Sequence, residues 1–179
     1  VGSAAGAAVT TGVRNTFIGG LSGDALTTGL DNVAMGKSAL SAETSGARSV
    51  AIGSNSLTAQ NVGSGTAVYN TAVGYDAGAS VTTGIKNILI GGLAGDAITT
   101  GIENTIIGSQ AADALTDADY NVVVGTSALS ADTLGSRSIA IGYKALEKQN
   151  FTSATDSYNT AVGQAAGNQM TTGKRNTLI

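Results

Sequence analysis

The chain has no histidine, no cysteine, no proline and no tryptophan. Without histidine there is no imidazole acid–base chemistry and no Ser-His-Asp or Cys-His nucleophile, and without cysteine as well there is no ordinary zinc site. Disulfides are excluded, so cysteine usage says nothing about redox compartment. Five Tyr and two Phe are too few for a bulky globular core. Charge is sparse and nearly balanced: 9 Lys plus Arg against 12 Asp plus Glu gives a net charge of −3. That balance argues against a nucleic-acid footprint and against a polybasic membrane patch. No apolar run is long enough to span a membrane. No secretory signal is visible, and the chain starts at Val1 rather than Met. What remains is rich in small residues, with 26 glycines among 179 residues, a length that suggests one domain.

The glycines are not scattered. A motif of the form N-T-φ-φ-G, with φ apolar, recurs along the whole chain. It starts at Asn15, Asn32, Ser49, Asn70, Asn87, Asn104, Asn121, Ser138, Asn159 and Asn176, with successive spacings of 17, 17, 21, 17, 17, 17, 17, 21 and 17 residues. A longer period of 89 residues lies above it, returning Ser38-Ala-Leu-Ser-Ala42 as Ser127-Ala-Leu-Ser-Ala131. Such periodicity signals a repeat architecture. Both ends cut through a unit, so residues 1–179 read as a single repeat domain of about ten coils, an excerpt of a longer array.

A 17-residue unit is short for a strand, a helix and their loops, but it suits one coil of a parallel β-solenoid. The residues between Asn and Gly have strand composition. Position four of the motif is Ile, Val or Met every time, and this uniformity predicts the coil core: Ile18, Met35, Ile52, Val73, Ile90, Ile107, Val124, Ile141 and Val162. Position two shares that face by the strand period of two. Position three then points outward, yet it is always apolar, which predicts that other chains cover it. The invariant glycine at position five predicts either φ > 0 or a close backbone approach. The Asn/Ser column predicts a hydrogen-bonded ladder. The residue before it predicts exposed ion pairs at Arg14–Asp31–Arg48 and Lys86–Glu103. Thr-Thr-Gly at 10–12, 27–29, 82–84, 99–101 and 171–173 reads as a polar corner, and the missing proline leaves every backbone N–H free to join a ladder.

In the second half of each unit, a small residue stands three positions after the glycine. The next position is Leu in four units (Leu40, Leu57, Leu129, Leu146), and Gly or Ala in the others. Where it is Leu, the site three residues later is polar: Glu43, Gln60, Asp132 or Gln149. Elsewhere that later site is apolar: Leu26, Val81, Ile98, Leu115 or Met170. Each coil thus supplies one large plug from either of two places, holding interior volume roughly constant. The 21-residue units, Ser49–Tyr69 and Ser138–Tyr158, each carry four extra residues, expected to bulge from the same corner. Residues Gln60, Asn61, Ser64, Gln149, Asn150 and Phe151 are therefore the candidate contact loops.

Arg48-Ser-Val-Ala-Ile-Gly53 and Arg137-Ser-Ile-Ala-Ile-Gly142 resemble the S-V-A-I-G head repeats of trimeric autotransporter adhesins, the YadA-like head, and every unit of the chain aligns with that pattern. The resemblance implies a left-handed parallel β-roll, three chains packed around an axis, and attachment to host surfaces, matrix proteins or glycan receptors outside the cell. The N-T-x-I-G units with their T-T-G corners are also similar to repeats in the shafts of bacteriophage tail fibres, which implies host recognition from a virion fibre. The expectation is a homotrimeric structural and binding segment, extracellular, without catalysis, cofactor, metal, nucleic-acid partner or membrane insertion. A calcium-dependent extracellular matrix or filament protein is the further alternative.

Asp113, Asp117 and Asp119 supply oxygen ligands of the kind calcium takes, but their spacing is not an EF-hand loop and a solvated turn is the expected reading. Gly19-Gly-Leu-Ser-Gly-Asp24 and Gly91-Gly-Leu-Ala-Gly-Asp96 share letters with calcium-binding nonapeptides but recur after 72 residues. Asn150-Phe-Thr152 is a single glycosylation sequon.

Overall fold

The computed structural model describes residues 1–63 and 66–179. Three-residue strands alternate with turns, and the described residues contain no helix. The strands in chain order are β1 (Thr16–Ile18), β2 (Val33–Met35), β3 (Val50–Ile52), β4 (Thr71–Val73), β5 (Ile88–Ile90), β6 (Thr105–Ile107), β7 (Val122–Val124), β8 (Gly135–Ser136), β9 (Ile139–Ile141), β10 (Thr155–Asp156), β11 (Thr160–Val162) and β12 (Thr177–Leu178). Ten of them form one parallel sheet in the order β1-β2-β3-β4-β5-β6-β7-β9-β11-β12. Each motif pairs with its equivalent in the next coil. Thr16 meets Val33, and across the longer unit Val50 meets Thr71, so the extra residues cause no slip in register. The chain is therefore an all-β parallel β-solenoid built of repeats. Strands about 4.8 Å apart make a sheet about 43 Å long over ten strands.

Backbone conformation brackets each strand. The preceding residue, from Arg14 to Arg175, sits at φ between 51° and 65° in every unit. The strand is followed by the invariant glycine at φ between 128° and 146°. Both reasons expected for that glycine hold. A methyl added at Gly108 would also lie 2.6 Å from the carbonyl carbon of Gly125 in the next coil. The residues before the strands are Arg, Lys, Asp, Glu and Tyr, not glycine, so their left-handed backbone left no mark in composition. Coil-to-coil hydrogen bonds hold them, such as Lys86 N–H donating to Val68 O at 2.8 Å.

The inward face differs from the sequence expectation. Ala34, Ala51, Ala72, Leu89, Ile106, Val123, Ala140 and Ala161, all at position three, are fully buried. Phe17 and Leu178 pack against the same core. Position four faces outward: Ile18, Met35, Ile52, Ile107, Ile141 and Val162 are exposed, and Val73, Ile90 and Val124 are only half-buried. The nine residues expected to form the coil core therefore do not. The physical reason lies two residues upstream of position three. The Asn at position one is inside, and the period of two carries position three inside with it.

The interior is filled by complementary volumes, and by three sites rather than two. Beside Ala34, Ala51 and Ala140 at position three, the plugs Leu40, Leu57 and Leu146 fill the space. Where it is Phe17 or Leu89, the plug site is Gly23 or Gly95. A methyl at Gly95 would lie 2.8 Å from Ile98 Cδ1 and 3.0 Å from Leu89 Cδ2. Gly95→Leu alone is expected to lower stability by about 1–3 kcal/mol through overpacking. Adding Leu89→Ala should recover part of that loss, and thermal unfolding of the double-mutant cycle measures the coupling.

Candidate functional site

Two surfaces stand out: the outward strip of the sheet, and the corners that carry the extra residues. The strip consists of positions two and four of every motif. Its apolar members include Ile18, Met35, Ile52, Ile88, Ile107, Ile139, Ile141 and Val162, each between 36% and 43% exposed. Thr16, Thr71, Thr105, Thr160 and Thr177 interrupt it at position two. Single exposed apolar residues need no explanation, but a row of them along one sheet makes this strip a candidate interaction surface.

Along one border of the strip runs the left-handed column. Arg14 binds Asp31 with Nε to Oδ1 at 2.5 Å, and Lys86 Nζ lies 2.9 Å from Glu103. Arg48 approaches Asp31 at 4.0 Å. These are the expected pairs. The Arg14 guanidinium, by donating to Asp31, holds that carboxyl below its ordinary range. Exposed as they are, such pairs are screened by solvent and add little to stability. The Arg137 guanidinium lies 4.7 Å from the ring centre of Tyr120 and 5.9 Å from that of Tyr158, and it binds Asp156 at 2.9 Å.

The Asn ladder lies inside the coil. Asn104 Nδ2 donates to Ala118 O at 2.7 Å, and its Oδ1 accepts from Asn121 N–H at 3.0 Å. The same two bonds recur at Asn32, Asn70, Asn87 and Asn121. Each Asn thus satisfies a corner carbonyl of its own coil and the backbone N–H of the next.

Both inserts follow the glutamine at the same place in the coil. Both rejoin through the same short pairing: β8 with β10 in one, Ala47 with Ala67 in the other. The candidate contact residues divide. Asn61 is exposed and Asn150 half-buried, but Gln60 and Gln149 are fully buried and Phe151 is 5% exposed. Those three are interior residues, not contacts, because the carboxylates of the preceding coil draw the start of each insert inward. Ser64 lies outside the described residues. The outward-facing residues of the second insert are Thr152, Ser153, Ala154 and Asp156.

No Lys or Arg occurs between Lys86 and Arg137, a stretch holding six carboxylates. Asp117 and Asp119 are engaged within the coil stack, Asp117 with the Thr100 hydroxyl and Asp119 with the Ile102 N–H. Asp113 lies in a different column, stacked on Asp96. No group of three or more acidic residues suited to a metal is present among the described residues. Asp96 Oδ1 and Asp113 Oδ1 are buried without a hydrogen-bond partner. Burial pushes both carboxyls above their ordinary range, and at Asp96 the neighbouring Asp113 charge adds to it. Carboxyls raised in this way weaken the fold when they ionise, so their cost is present at neutral pH and fades as acid protonates them. Ser41 and Ser130 occupy the same column. Asp113→Ser is therefore expected to raise the melting temperature at pH 7, with the gain shrinking as pH falls to about 4, near the ordinary carboxylate value.

No protein-family model, no curated protein and no solved structure matches the chain. The class that the coil and its two surfaces define is that of a parallel β-solenoid repeat protein.

Proposed function

We propose that the chain is a structural and binding segment of an extracellular adhesive fibre, in which three copies pack around an axis as left-handed β-rolls. The observation that carries the reading is the outward apolar strip, which runs the length of the sheet. Apolar surface gains about 25 cal/mol per Å² when removed from water. The strip alone is about 43 Å by 10 Å, well under the roughly 800 Å² per partner of a standard interface. A ring of three offers each strip to two neighbours and brings the bordering columns into contact as well. The S-V-A-I-G unit at Ser49 and the S-I-A-I-G unit at Ser138 support a surface-adhesin head or stalk. The shaft of a phage-type tail fibre is the second reading, supported by the N-T-x-I-G units with T-T-G corners.

The partner sought is a host surface, a matrix protein or a glycan. Binding of the purified chain to immobilised matrix proteins, to glycan arrays and to bacterial surface polysaccharide separates the readings. Saturable binding to matrix or host glycans is expected for an adhesin. Binding to bacterial polysaccharide alone would favour the tail fibre, and no binding to any of the three would overturn a receptor-binding role for this segment.

A further inference from the structure

The two 21-residue coils share more than their length. In each, Ser replaces Asn at position one, as Ser49 and Ser138. In each, a glutamine stands at the third interior site, and a carboxylate occupies the same site one coil earlier. These are Gln60 with Glu43, and Gln149 with Asp132, all fully buried. The glutamine bridges that serine to the Asn that opens the next coil. Gln60 Nε2 donates to Ser49 Oγ at 3.0 Å, and Gln60 Oε1 accepts from Asn70 Nδ2 at 2.9 Å. Gln149 does the same with Ser138 at 2.8 Å and Asn159 at 2.8 Å.

The carboxylate faces N–H donors only. Glu43 accepts from Ser45 N–H at 3.1 Å, Gly46 N–H at 2.7 Å, Gln60 Nε2 at 3.0 Å and Val62 N–H at 3.2 Å. Asp132 accepts from Gly135 N–H at 3.1 Å, Gln149 Nε2 at 2.6 Å and Phe151 N–H at 2.9 Å. Val62 and Phe151 stand at the start of the two inserts. One buried carboxylate therefore binds the corner of its own coil, the glutamine of the next, and the first turn of the extra chain.

We infer that Glu43 and Asp132 are positioning residues that fix the start of each insert from inside the coil, at Val62 in the first and Phe151 in the second. Each 17-residue coil that opens with Asn binds the backbone carbonyl 14 residues on with that side chain. In the two longer coils a serine stands at position one, and the start of the insert is tied instead by the carboxylate of the coil before, which accepts from Val62 N–H in one and from Phe151 N–H in the other. The inference stands on these hydrogen bonds and is independent of how many copies assemble.

The test is backbone amide exchange on the full chain with Asp132→Asn. The amide group turns one acceptor oxygen into a donor, leaving an N–H of the cluster unmatched. Exchange at the Phe151 amide should accelerate at least about tenfold, the loss expected for a hydrogen bond to a charged group, while the sheet amides of Ile88 and Thr105 keep the parent's rates. Asp132→Glu, which installs the residue found at Glu43, should restore protection. Should Asp132→Asn weaken the whole coil, a cycle with a variant lacking residues 151–154 decides: the melting temperature should fall less on Asp132→Asn in the shortened chain than in the parent. Unchanged exchange at Phe151, equal acceleration at Phe151 and Thr105, or an equal fall in both backgrounds would each overturn the inference.

Discussion

Ile106→Asp is expected to abolish the folded solenoid around β6, at a cost of at least about 4 kcal/mol, because a fully buried charge with no partner ranks among the largest single-residue penalties. Ile106 is completely buried between Leu89 and Val123 of the adjoining coils. No cationic side chain lies within the interior sites described for these coils. Each coil touches only its neighbours, so the damage should spread from one height of the rod rather than be averaged over a globular core. Limited proteolysis should first cut near residues 100–115. The neighbouring change Ile107→Asp puts the charge at a site 37% exposed and should leave the coil itself folded. Two adjacent isoleucines on one strand thus separate the interior from the outward strip. If the two variants resisted protease equally, the assignment of faces would fail.

Asn104→Ala is the second large effect. Its side chain makes two buried bonds to backbone groups, the Ala118 carbonyl and the Asn121 N–H. Removing it leaves both unpaired, at about 1–3 kcal/mol each, and opens a small void as well. A loss of about 2–5 kcal/mol is expected by denaturant or thermal unfolding. Asn55→Ala, which removes a part-buried bond to Asp76 Oδ1 at 2.9 Å near the surface, should cost far less.

The repeat made most of the architecture legible. The spacing placed every strand of the main sheet, the missing proline suited an uninterrupted ladder, and the invariant glycine announced its positive φ. The choice of inward face was harder, because both faces of the strand are apolar. Uniformity at position four looked like a core, yet the interior is the variable face. Position three ranges from Ala34 to Phe17 because its volume is shared with two other sites in the coil. Position four has no such partners inside its own coil and stays uniform. The informative signal was the Asn at position one: a ladder that serves buried backbone groups must be inside, and position three lies on its side of the strand. Glu43, Gln60, Asp132 and Gln149 were hidden for a related reason. Polar residues in a corner read as surface until their hydrogen-bond partners are seen. The left-handed residues before each strand carry no compositional mark at all.

The central claim is that the outward strip is covered by other copies of the chain. Light scattering of the purified chain, with Ile107→Asp beside it, measures this directly. Three chains per particle are expected for the parent, and a folded single chain for Ile107→Asp, with parallel β-structure retained in its circular dichroism. A parent that remains a stable, folded monomer at the highest attainable concentration would contradict the claim.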